Sequence, residues 1–113
     1  MSDRSPELLI DDILESAAKI KRYTSGMSFK QFESDEKTVD AVIRNFEIIG
    51  EAAGRLTDDF KAANVQIDWR KIRGFRNRVV HAYFGVDLDI VWNIIQNYLD
   101  ELIKEIERLE KVT

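Results

Sequence analysis

Residues 68–82 read DWRKIRGFRNRVVHA, and whether they form a helix decides the architecture of the chain. Asp68 is a good cap residue, so the segment reads as a helix from Trp69 to about Ala82. The rest of the sequence follows the same logic. Its 113 residues include one proline and five glycines, little punctuation for a β-sandwich and well suited to long helices. Upstream, Ser5-Pro6 starts a helix with serine as N-cap and proline at the first helical position. Leu9, Ile13, Ala17 and Ile20 recur at helical spacing until Gly26, which stops it. MSFKQFESD, residues 27–35, reads as a turn whose Phe29 and Phe32 cover the end of a bundle.

A further helix starts near Asp35 and carries Val39, Val42, Ile43, Phe46, Ile49 and Ala53 as a broad apolar stripe. Gly50 and Gly54, with Ala53 beside them, allow another helix to approach closely. Thr57-Asp58-Asp59 caps a brief helix ending near Asn64. Downstream, Asp87 caps one long C-terminal helix with Val91, Ile95, Tyr98, Leu102, Ile106 and Leu109 on one side. The expected fold is all-α: an up-and-down four-helix bundle with additional short helices, in a single domain spanning residues 1–113.

Composition narrows the function. A hydrophobic content of 44% supports one compact core, and no apolar run approaches the roughly 18 residues of a membrane span. The N-terminal MSDRSPELLIDD turns acidic before any long apolar stretch, unlike a secretory signal. The absence of cysteine excludes disulfides, thiolate zinc sites and cysteine nucleophiles, and fits a cytoplasmic setting. A single histidine, His81, excludes a multi-histidine metal site within one chain, so neither metal nor cofactor is expected. The net charge of −4 argues against coating nucleic acid through a general basic field. A local basic site remains: Arg70, Lys71, Arg73, Arg76 and Arg78 fall within residues 70–78.

On a helix, Asn77 and His81 are i and i+4 and share a face, whereas Arg76 and His81 stand about 140° apart. One copy does not make an obvious site. Two copies around a two-fold axis would bring Arg76, Asn77 and His81 of each chain to one cleft, with Tyr83 lining it if the last turn persists. Such a cleft suits RNA cleavage without metal. An imidazole takes the 2′-hydroxyl proton or protonates the leaving oxygen, and guanidinium groups neutralise charge on the phosphate. The plainer reading stands beside it: a lone histidine near a helix C-terminus favours the helix dipole, and a basic run is a solvated face. Val79, Val80 and Phe84 read as core either way, and Trp69 and Trp92 as packing residues. Periodicity leaves both readings open.

The order of residues goes further. RNRVVHAY, residues 76–83, matches the Arg, four residues, His, any residue, Tyr pattern of the HepT-type HEPN-domain toxins. NFEIIGEAAGRL at 45–56 resembles that family's second-helix signature, and IDWRKIRGFRNRVVHAYFGVDLDIVWNII at 67–95 follows its motif region nearly end to end. The resemblance covers most of the chain, and no motif position departs from it. It implies a helical bundle that dimerises and a metal-independent ribonuclease with Arg76 and His81 as catalytic residues and Asn77 in support. It also implies a cognate nucleotidyltransferase antitoxin, MntA, that transfers AMP from ATP onto Tyr83. Arg73 and Arg78 would hold flanking RNA phosphates. The alternative is a non-catalytic helical module that partners a nucleotidyltransferase and binds nucleotide.

Overall fold

The computed structural model describes residues 5–85 and 87–112, which form seven helices with no strand among them. In chain order they are α1 (Pro6–Thr24), α2 (Phe29–Ser34), α3 (Glu36–Arg55), α4 (Asp58–Ala63), α5 (Trp69–Gly85), α6 (Leu88–Asn97) and α7 (Leu99–Val112). The expectations of one domain over 1–113 and for the N-terminal segment extend to residues 1–4, 86 and 113, which lie outside the described residues.

Local hydrogen bonds set most of the boundaries. Ser5 Oγ accepts from the Leu8 amide at 3.3 Å with Pro6 in the first turn, and α1 runs out at Gly26, whose φ of 76° is the left-handed conformation that glycine tolerates. Asp35 Oδ1 accepts from the Thr38 amide at 3.1 Å and begins α3. Thr57 Oγ1 caps α4 through the Phe60 amide at 3.1 Å, and Asp68 Oδ1 accepts from the Lys71 amide at 3.0 Å at the head of α5. Caps of this kind stabilise a helix by about 1 kcal/mol each when solvent competes little.

Three expectations need correction here. MSFKQFESD folds into α2 rather than a plain turn, because Ser28 and Gln31 form a reciprocal capping box at 3.2 and 2.9 Å. Its Phe32 is fully buried and lies 5.2 Å from the Trp92 ring, with Phe29 at 6.3 Å on the same indole. The C-terminal helix is two helices, broken at Tyr98, where φ is −127°. Neither glycine nor proline causes that break. Asn97 turns its side-chain amide back onto the Asn93 carbonyl at 3.1 Å, and Tyr98 is held against Phe75 and beneath the Lys71 ammonium. Asp87 occupies the cap position of α6 but makes no side-chain capping bond.

Packing follows the stripes. Residues Ile13, Ala17 and Ile20 of α1 meet Val42, Phe46 and Ile49 of α3 in one buried core, and α3 packs on α1 and on α5. Helix α5 continues to α6, while α7 closes against α1, where Lys21 also pairs with Asp100. Burying a large aliphatic or aromatic side chain is worth about 1.5–3 kcal/mol, so the many fully buried positions of this core dominate the few surface ion pairs.

Candidate active site

Helix α5 is held by one face. Ile72, Phe75, Val79 and Ala82 recur at intervals of three and four and are buried, which fixes the roll of the helix about its axis. The opposite strip, Arg70, Arg73, Asn77, His81 and Phe84, is exposed. Helix α5 also extends past Ala82 to Gly85, and this carries Phe84 round onto the outer strip. Phe84 is therefore 79% exposed, against its expected place in the core. Val79 is fully buried as expected, and Val80 is half-buried.

Arg76 lies on the flank of α5 that faces α3, and Gly50 receives it. A Cβ at position 50 would stand 2.6 Å from Arg76 Cβ and closer still to Cγ, so the aliphatic stem occupies the room that the glycine leaves. No such neighbour lies within 4 Å of Gly54, so only one of the two expected small-residue contacts forms. From that seat Arg76 Nη1 donates to Asn77 Oδ1 at 3.2 Å. Both side chains line a groove of about 540 Å³ between α3, α4 and α5, with Arg44, Lys61 and Arg73 adding positive charge against Glu47 and Glu51. Trp69 also lines it, edge-on to Phe60 and donating its indole N–H to the Asn64 carbonyl at 3.2 Å. It packs as expected, as does Trp92 on α2.

The structure divides the basic run. Arg73 and Arg76 line the groove, whereas Arg78 is exposed away from it and Lys71 lies over Phe75 and Tyr98 on the far flank. His81 is exposed and makes no hydrogen bond or ion pair among the described residues, and it does not line the groove within one chain. Tyr83 lies two turns beyond Arg76 on the same flank of α5, facing α3 but outside the groove. Its O–H donates to Asp40 Oδ1 on α3 at 2.9 Å. That hydrogen bond, then the Asp40 charge, partial burial and Glu36 hold the phenol above its ordinary pKa of 10.0. Asp40 has no place in the sequence motif, and 43 residues separate it from Tyr83, so spacing gave no signal for it.

Arg76, Asn77 and His81 thus sit on adjoining sides of one helix, with the guanidinium anchored and the imidazole open to solvent. Guanidinium recognises phosphate oxygens, and neutral imidazole exchanges protons near neutral pH. Among the described residues, no three His, Cys, Asp or Glu side chains group so as to hold a metal ion. No helix among them is long and apolar enough to cross a membrane.

A family model described as Ribonuclease HepT-like matches residues 13–109. A Methanocaldococcus jannaschii protein named "Putative RNase MJ0127" is 38% identical over 111 residues, covering 98% of this chain and 92% of its own. A Thermococcus cleftensis protein named "Probable ribonuclease HepT" is 38% identical over 108 residues, covering 96% and 98%. A Caldanaerobacter subterraneus protein named "Putative RNase TTE0752" is 31% identical over 106 residues, covering 94% and 95%. No solved structure gives a significant match.

Proposed function

The chain belongs to the HepT-like ribonuclease family, and from that premise we propose that it is a metal-independent endoribonuclease toxin whose site is completed by a second copy. It acts as one domain over residues 1–113, in the cytoplasm, on RNA. The observation that carries this reading is the anchored Arg76, bonded to Asn77, on the same helix as the exposed His81, which has no partner among the described residues.

The chemistry follows from the two groups. The RNA 2′-oxygen attacks the adjacent phosphorus, its proton passing to one neutral imidazole, while the bond to the 5′-oxygen breaks and that oxygen takes a proton. A two-fold dimer supplies two histidines, so one His81 serves as base and its mate, protonated, as acid. Arg76 neutralises the non-bridging oxygens as charge gathers on them, and Asn77 orients it. Arg73, in the groove, and Arg78, on the opposite flank, contact neighbouring phosphates. Its antitoxin is an MntA-type nucleotidyltransferase, which transfers AMP from ATP to Tyr83. A nucleotidyl group two residues from His81 brings negative charge and bulk to the place where RNA must lie.

The test is RNA cleavage in a chelator by wild type, Arg76→Ala and His81→Ala, with solution mass measured on each. Dimers throughout and losses of about 100-fold or more in both variants are expected. Equal cleavage by His81→Ala and wild type would remove the imidazole from the mechanism, and a monomeric wild type that cleaves RNA would remove the composite site.

A further inference from the structure

The Tyr83 phenol is not simply exposed at the end of α5. Its O–H is donated across 2.9 Å to Asp40 Oδ1, a contact made only because α3 and α5 pack side by side. Glu36 stands one helical turn before Asp40 and adds a second negative charge near the same oxygen. Asp40 is exposed and Tyr83 half-buried, so the oxygen pair lies at the surface.

We propose that Asp40 is the proton acceptor for Tyr83 when the phenol takes up a nucleotidyl group, so that the chain supplies the general base for its own modification. This rests on the nucleotidyl transfer to Tyr83 proposed above. In the step, the phenol oxygen bonds to the α-phosphorus of a nucleoside triphosphate, and the bond from that phosphorus to the β-bridging oxygen breaks. Pyrophosphate leaves, and the phenolic proton passes to the Asp40 carboxylate. A free phenol ionises only near pH 10, so at neutral pH it needs a base at the moment of attack. A carboxylate already in its hydrogen bond needs no rearrangement to serve. It also disfavours a standing phenolate, which confines nucleophilicity to the encounter with the nucleotide. Afterwards the oxygen has no proton to donate, and the new phosphodiester faces Asp40 and Glu36 as a like charge. The modified side chain is thereby pushed away from Asp40 and Glu36.

The experiment follows intact mass against time for the full chain with an MntA-type nucleotidyltransferase and ATP, as wild type, Asp40→Asn and Asp40→Glu, with thermal midpoints confirming the fold. Asparagine keeps an acceptor oxygen and the side-chain volume but takes no proton. The expected result is a loss of about 100-fold in kcat for Asp40→Asn, with little change in KM for the chain, and partial recovery in Asp40→Glu. Wild-type kcat in Asp40→Asn overturns the proposal and leaves the modification reading intact. A rise in KM alone makes Asp40 a docking contact and also overturns it. A wild-type chain that gains no mass removes the modification reading, and the proposal with it.

Discussion

Replacing Gly50 with alanine places a methyl group where the Arg76 stem lies. The new carbon would stand 2.6 Å from Arg76 Cβ, whereas carbon atoms rest at about 3.5–4.0 Å. Rotating χ1 of Arg76 relieves the Cγ contact but not this one, since Cβ is fixed to the α5 backbone. Helices α3 and α5 must therefore separate by about 1 Å at this level. Overpacking of this kind costs about 1–3 kcal/mol, and the better helix propensity of alanine returns about 1 kcal/mol. The net loss is about 0–2 kcal/mol, which at roughly 4–8 °C per kcal/mol lowers Tm by as much as about 15 °C. With Arg76 in the role proposed for it, cleavage should suffer more, since a 1 Å misplacement of a catalytic group costs about 100-fold. Gly54→Ala is the internal control: with nothing within 4 Å of its Cβ, it should gain up to about 1 kcal/mol and keep its cleavage rate. Urea midpoints and initial rates on one RNA would measure both. If Gly50→Ala gains stability as Gly54→Ala does and cleaves at the wild-type rate, the seat of Arg76 is not on Gly50.

Arg76→Lys keeps the charge but loses the planar fork, and its cleavage rate should fall by at least tenfold or so, read from the same assay. Tyr83 should titrate above 10.0 by its phenolate absorbance, and the midpoint should fall in Asp40→Asn. Because the folded-state pKa is raised, the Tyr83–Asp40 bond contributes stability below pH 10.0 that disappears as pH rises through the folded value. Asp35 is the opposite case: the Thr38 amide holds its carboxyl below 3.8, so its contribution at the head of α3 is present above that value and is lost as pH falls through the lowered one. Acid melts of Asp35→Asn should lack that component. Phe84→Ser should leave monomer stability within about 0.5 kcal/mol, yet weaken self-association in sedimentation if the outer strip of α5 forms the dimer contact.

The helix boundaries that the sequence predicts well are those made by neighbours three residues apart. Ser5, Asp35, Thr57 and Asp68 each cap the helix that follows through an amide three positions on, so the signal is contained in a short window. The capping box of α2 is equally local, in Ser28 and Gln31, but the segment is short enough to read as a turn. The break at Tyr98 depends on Phe75 and Lys71 from another helix, and no residue type nearby announces it. Phe84 depends on where α5 ends. A helix stopping at Ala82 leaves it free to fold inward, and three more residues turn it out. At the site, Arg76, Asn77, His81 and Tyr83 stand in one motif and were legible as a family resemblance, while helical spacing alone left a solvated face equally open. Asp40 and the role of Gly50 belong to the packing of α3 on α5, and contacts of that range have no local signature.

A helix gripped along Ile72, Phe75, Val79 and Ala82 behaves as a mounting rail. What clamps it and what it displays are different residues. Side chains at 73 and 84 are exchangeable fittings, because neither fills core space and surface changes of this sort shift stability by only about 0.5 kcal/mol. Selectivity for one RNA can therefore be retuned at these two positions while the domain beneath them folds as before, which makes them the natural place to graft a new specificity.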